Sequence, residues 1–418
     1  MRVATEQEIS EALRSLADRT PRLVVGGNWV TPRRLVELAE ANLEALRFFV
    51  LNAQGDWPDR EGIVLESPFL GAGARRHRHV DYLPMRLSLV PRLFRAIRPP
   101  DAVLVQVTPP VNGEVSLGVE VNILPAAIEA VRRRGGLVLA EINPKLPRTV
   151  GDSVFPAEWV DLAIEVDRPI DSPATEAPDA LAHAIGEQVA RFGVDGATVQ
   201  FGIGQIPDAA AAHLADRANL RIWTELASDG VLGLQRAGAL DPSVPIRTSF
   251  LFGSPELYEW ADANPRLELL RTETINDPSR IATHHAMLSI NTALQVDLFA
   301  QANASALGGH TYSGFGGQPD FVVGALHSDG GHSVIALRSF HEPTASSNVV
   351  PLLGERVTSF QHSAIVSEHG CAEIFGLSTA AQHEALIEKV ADPRARAALW
   401  AAAAERGITP TSTVPGAR

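Results

Sequence analysis

Short apolar runs that stop at glycine or proline, each followed by a stretch of helical spacing, recur along this chain and leave it few folds to choose from. Arg22-Leu23-Val24-Val25 ends in Gly26-Gly27, and Ala102-Val103-Leu104-Val105-Gln106-Val107 stops just before Pro109-Pro110. Such near-continuous apolar strands are buried on both faces, as in a parallel sheet whose crossovers are helices. Ile9, Leu13 and Leu16 repeat at helical spacing within Glu6 to Ala17, and a helix is expected from Pro125 to Arg134. Thr31 before Pro32 is expected to cap another helix, and strands are expected from Val115 to Val121 and from Gly136 to Ile142. The fold class is therefore α/β with largely parallel sheets.

A chain of 418 residues exceeds one core, since single cores stop growing near about 250–300 residues. The Pro-, Asp- and Ser-rich stretch from Val166 to Pro178 is the expected linker, which gives an N-terminal α/β domain over 1–175 and a C-terminal one over 176–407. The second run has a helix through Phe192, a strand from Ala197 to Phe201, the loop Gly202-Ile203-Gly204 and a helix opened by Pro207-Asp208. Further strands are expected over Thr248 to Phe252, Ser333 to Leu337 and Ala364 to Ser367, and residues 408–418 are expected to form a flexible tail.

Composition removes several function classes. A net charge of −13 argues against a nucleic-acid surface, which needs a dense cationic stripe. Lys145 and Lys389 are the two lysines and neither follows a glycine-rich loop, so a Walker-type phosphate site is excluded. Cys371 stands alone, which rules out an internal disulfide or thiolate metal cage and points to a reducing compartment. No apolar stretch reaches membrane-spanning length, so a cytoplasmic location and no membrane partner are expected. Thr283-His284-His285 is not read as a metal site, because adjacent histidines face different sides of a regular element.

The segment Leu220 to Gly230 reads as a strand that delivers Glu225 to its end, with Ser228-Asp229-Gly230 as the turn. Strand ends of open α/β sheets are where ligands bind, and a carboxylate there can serve as base, nucleophile or helix cap. Two loops flank it in sequence. Gln200 to Pro207 joins strand to helix, so its N–H groups can face an anion or a polarised carbonyl, although Pro207 stands where a dinucleotide fingerprint needs its third glycine. Gly308 to Gly317 holds five glycines in ten residues, a density that costs entropy and lets a ligand approach the backbone.

In order along the chain, the segments Thr108-Pro109-Pro110, Asn143 to Thr149, Gly196 to Gly204, Thr224-Glu225 with Ser228-Asp229-Gly230, Asn276-Asp277-Pro278, Ser289 to Leu294, Ser313 to Phe321 and Glu368-His369-Gly370 together resemble the acetyl-CoA hydrolase/transferase family of glutamate-dependent CoA-transferases. The resemblance implies two α/β domains with the active site in the cleft between them. It implies that Glu225 is the nucleophile of a ping-pong transfer of coenzyme A between an acyl-CoA and a carboxylic acid, through a glutamyl-CoA thioester. Backbone donors around Ile203 and from Gly316 or Gly317 would hold the oxyanion, and Asn276 would orient the reacting groups. Gly202, Gly204, Gly314, Phe315, Gly316, Gly317 and Gln318 would line the coenzyme A path. Coenzyme A is then a substrate, with no permanently bound cofactor and no metal, and a homodimer or larger homo-oligomer is expected.

The chain also departs from the family pattern. Trp223 stands where relatives commonly have histidine, which puts the acyl pocket or the hydrogen bonding of Glu225 in question. Ser367-Glu368-His369-Gly370 replaces Thr-Glu-Tyr-Gly, and Asp392-Pro393 replaces His-Pro. Two other readings stay open: an acyl-CoA hydrolase, and a binder of acyl-CoA that has lost turnover.

Overall fold

The computed structural model describes residues 1–173, 176–355, 357 and 361–409, so the expected boundary at 175 and the tail beyond 409 lie outside the described residues. Eight parallel strands form the first sheet, in the spatial order Arg2–Val3, Leu162–Glu165, Leu137–Ile142, Ala102–Val107, Arg22–Val25, Leu46–Val50, Ile63–Ser67 and Val80–Tyr82. All six residues of Ala102–Val107 are buried, as its sequence requires of a central parallel strand.

The second sheet has nine strands, ordered Gly370–Glu373, Ala364–Ser367, His332–Ala336, Leu288–Thr292, Thr198–Phe201, Arg221–Ala227, Ile246–Leu251, Leu267–Leu269 and Val150–Gly151. Only the Gly370–Glu373 edge runs antiparallel, and Val150–Gly151 is contributed by the first half of the chain. From Thr198–Phe201 the chain winds outward to one side through Arg221–Ala227 and later returns on the other through Leu288–Thr292. The strand order therefore reverses between Thr198–Phe201 and Leu288–Thr292, and ligands of open α/β sheets bind at such a reversal, beyond the carboxyl ends of the strands. The largest apolar cluster runs through both sheets, from Val103 and Val105 to Val199 and Leu288. Among the described residues no helix is long and apolar enough to cross a membrane.

Three local expectations are corrected. Thr31 does not cap: the helix Arg33–Asn42 has Pro32 at its N-cap without a side-chain bond, and the Glu141 carboxylate of a central strand instead accepts from Leu35 N–H at 3.1 Å. The strand expected over Val115 to Val121 is paired only as Glu114–Ser116. Its remainder is apolar because it crosses to the second sheet, where Glu120 bridges Phe250 and Leu251 N–H donates to Val119. Ser228-Asp229-Gly230 is no isolated turn: Ser228 caps the helix Asp229–Ala237, its hydroxyl accepting from Gly230 N–H.

Glu66 carries the polar interior of the first sheet. Fully buried, it accepts from Arg22 Nε at 2.5 Å, Arg47 Nη1 at 3.0 Å and Arg98 Nη1 at 2.8 Å. Burial alone would raise its pKa, but the Arg22 bond and the three cations bring it below the usual carboxylate value. Glu66→Gln keeps the volume and leaves the Arg22 and Arg98 guanidinium groups without their counter-charge, while Arg47 keeps Asp81 at 2.9 Å, so chemical denaturation should show a loss of about 3 kcal/mol.

Candidate active site

Glu225 sits inside the strand Arg221–Ala227 rather than at its last residue, and Leu226 and Ala227 continue the pairing to Phe250 and Leu251. Alternation along the strand puts Trp223 and Glu225 on one face, with the fully buried Thr224 on the other. Asn276, fully buried just after the short helix Thr272–Ile275, donates from Nδ2 to Glu225 Oε2 at 2.6 Å. Opposite lies Gly317, where an added Cβ would fall 1.7 Å from Glu225 Oε2 and 2.2 Å from Asn276 Nδ2. No other residue fits there, so the glycine run holds its backbone directly against the carboxylate.

The group opens into a cavity of about 280 Å³ lined by Gly202, Ile203, Gly314, Phe315, Gly316, Gly317 and Gln318 as well as Glu225. Gln200 to Ile203 and Asn291 to Leu294 reach it from the two strands flanking the reversal of the second sheet, while Leu51, Asn52 and Phe69 face it from the first. The sequence-derived site residues thus converge, with two exceptions in position. Gly204 opens the helix Gln205–Leu214 with φ 107° and does not line the cavity, and Asn276 stands behind Glu225 rather than in the wall. Among the described residues, the N–H groups of Ile203, Gly316 and Gly317 donate to no protein acceptor.

Glu225 is half-buried, its carboxylate packed against Asn276 and Gly317 where it lines the cavity. This desolvation raises its pKa to about 7, against the lowering effect of Asn276 and with a further upward push from Asp320. Asp320, itself fully buried in the helix Gln318–His327, accepts from Ser88 Oγ at 2.8 Å and is raised to about 7, chiefly by burial. Sequence reasoning missed Asp320 and Ser88, because only the fold brings residue 88 beside the glycine loop.

Trp223 does not line the cavity. It packs with Ile275, Ile281, Met287 and Phe321, lies 4.4 Å in ring centroid from His284, and donates from Nε1 to the Ile275 carbonyl at 2.9 Å. The carbonyl it holds immediately precedes Asn276. The other two departures meet one another: His369 Nε2 lies 3.6 Å from Asp392 Oδ2, and neither residue lines the cavity.

The raised pKa of Glu225 has a stability consequence with a definite sign. Between the normal carboxylate value of 4.5 and about 7 the unfolded chain has released this proton while the folded chain retains it, so stability falls as pH rises through that window. Glu225→Gln should melt above wild type at pH 8, and the difference should shrink as pH approaches 4.5. Equal melting temperatures throughout would mean that the carboxylate is not desolvated.

The profile of the acetyl-CoA hydrolase/transferase C-terminal domain matches residues 253–403. The chain is 36% identical over 331 residues to the 4-hydroxybutyrate coenzyme A transferase of Clostridium kluyveri, covering 76% of each. It is 33% identical over 411 residues to the succinyl-CoA:acetate/propanoyl-CoA:succinate CoA transferase of Fasciola hepatica, covering 91% of this chain and 84% of that one. The crystal structure of RipA from Yersinia pestis superposes with a TM-score of 0.89 at 26% identity, covering 98% of both chains. Identity above 30% across most of both lengths, together with a shared fold, shows that the chain belongs to the acetyl-CoA hydrolase/transferase family, whose members include CoA-transferases and acetyl-CoA hydrolases.

Proposed function

We propose that this protein moves coenzyme A between a short or medium acyl-CoA and a carboxylic acid, with Glu225 as the covalent carrier. The observation that carries the reading is the desolvated Glu225 carboxylate, pinned by Asn276 in the wall of the cavity with unspent N–H donors beside it. Ionised Glu225 attacks the thioester carbonyl; the C–S bond breaks, and an acyl-glutamyl anhydride and coenzyme A thiolate result. The thiolate then attacks the glutamyl carbonyl, the acid leaves as its carboxylate, and a glutamyl-CoA thioester remains. A second carboxylate reverses both steps, so no proton or water is consumed.

Each step passes through a tetrahedral oxyanion, and the N–H groups of Ile203, Gly316 and Gly317 are the donors available to hold it. Burial makes the carboxylate a better nucleophile by removing its water shell, while the Asn276 donor keeps the ionised form within reach near neutral pH. Leu51, Phe69, Leu226, Phe250 and Leu294 offer the acyl chain an apolar wall. Relatives named for butyryl-CoA:acetate and succinyl-CoA:acetate exchange support a carboxylate acceptor. The resemblance also supports a homo-oligomeric assembly.

Incubation with acetyl-CoA followed by borohydride trapping and mass spectrometry should place a modification on Glu225, and Glu225→Ala should abolish both the adduct and acyl exchange. Release of coenzyme A at the full turnover rate with no acid acceptor would favour hydrolysis; tight binding without an adduct would favour a non-catalytic binder.

Trp223 is expected to act through Asn276. Trp223→Phe keeps the ring but loses the bond to Ile275, so kcat should fall about tenfold with KM for the acyl-CoA little changed, whereas Trp223→His, which can restore a donor, should recover part of the loss. A matched rise in KM would instead place Trp223 in the substrate pocket.

A further inference from the structure

In a chain of net charge −13, the run Arg75-Arg76-His77-Arg78-His79 puts three arginines within four residues, and the fold sets its first residue, Arg75, in the lining of the Glu225 cavity. Ala74 to His77 form a tight turn closed by His77 N–H to the Ala74 carbonyl at 3.1 Å, with Arg75 and Arg76 at its two corners. Below them the His77 ring is buried and meets the Pro58 carbonyl at 2.8 Å, so the turn has a fixed base. Arg75 lines the cavity itself. Its Nε donates to the Tyr312 carbonyl at 2.8 Å and its guanidinium lies 3.9 Å from the Tyr312 ring centroid, at the head of the glycine loop.

What these cations lack is a counter-charge. Arg78 is 3.4 Å from Asp59, but among the described residues neither Arg75 nor Arg76 has a carboxylate within ion-pair distance. The two Nη groups of Arg75 and the whole guanidinium of Arg76 make no hydrogen bond within the described protein. Among the residues lining the cavity, Glu225 is the one anion and Arg75 the one cation, placed at the reacting end and at the rim.

A cavity of about 280 Å³ holds a thioester and part of a pantetheine arm, so the nucleotide end of coenzyme A must lie outside it. That end carries a diphosphate and a ribose phosphate, and guanidinium groups match phosphate oxygens in geometry and charge. We propose that Arg75 and Arg76, presented by the Ala74–His77 turn, form the docking site for the phosphates of the coenzyme A nucleotide. The proposal rests on the coenzyme A reading above, but not on any chemical step at Glu225.

Titration calorimetry with the full chain tests it through binding alone. Arg76→Glu removes no contact seen in the fold and reverses the charge, while Arg75→Ala removes the rim cation. Each should weaken coenzyme A binding about tenfold or more, and Arg76→Glu, which lies outside the cavity lining, should leave the affinity for pantetheine, which has no nucleotide, unchanged. The coenzyme A effect should shrink as salt rises, because exposed charge interactions are screened. Unchanged coenzyme A affinity in Arg76→Glu, or equal weakening toward coenzyme A and pantetheine, would overturn the proposal. Failure to trap an adduct at Glu225 in the wild type would count against the transferase mechanism and leave this binding result standing.

Discussion

The rest of this structure is arranged around one costly act, the removal of the Glu225 carboxylate from water. A carboxylate in solution is a weak nucleophile because its solvation must be stripped before it can attack, and here the fold has done so in advance. The cost is visible in a pKa displaced to about 7. It is offset in part by a single strong donor, Asn276 Nδ2 at 2.6 Å, whose own position is fixed by a short helix held through its last carbonyl by the Trp223 indole. The strand places the carboxylate, and residues far from it in sequence determine how acidic it is.

The two sheets contribute unequally to that environment. The second supplies the carboxylate and both loops at the strand reversal. The first closes the cavity with Leu51, Asn52 and Phe69 and reaches deeper through Ser88, which holds Asp320 one helical turn beyond the glycine loop. Because the apolar cluster and the Leu117–Val121 crossing are continuous between the halves, the two walls are set by packing that is shared across the cleft. A wall built in this way resists independent drift of either half, which suits a site where a displacement of about 1 Å costs orders of magnitude in rate.

Much of this was legible in the sequence, for identifiable reasons. Buried parallel strands are apolar throughout, so Arg22–Val25, Ala102–Val107 and Ala364–Ser367 were found with their observed bounds. Glu225 and the glycine run stood out because both break the local rules of propensity. Features that depend on tertiary contact were not legible. The Glu141 carboxylate at the start of the Arg33–Asn42 helix comes from a strand about a hundred residues away, so Thr31 looked like the cap. Apolar Leu117–Val121 looked like a strand because a buried crossing has the same composition. Trp223 was noticed as a departure from relatives, but its placement behind the site follows from the Ile275, Met287 and Phe321 cluster that receives it.

The glycine run shows how one compositional signal can have several physical causes. Gly308 and Gly309 have φ of 57° and 80° with nothing near a hypothetical Cβ, so backbone conformation alone selects them. Gly317 has an ordinary φ of −87°, and what excludes a side chain there is the Glu225 oxygen already occupying the space. Gly314 meets both conditions: its φ is 104° and a Cβ would lie 2.8 Å from the Pro68 carbonyl of the opposite wall. Along the run, then, the reason for glycine shifts from the shape of a turn to contact across the cleft and finally to contact with the Glu225 carboxylate. The loop is therefore part of the site's geometry, and under the proposed mechanism the approach of its backbone to Glu225 would set where an N–H donor meets the oxyanion.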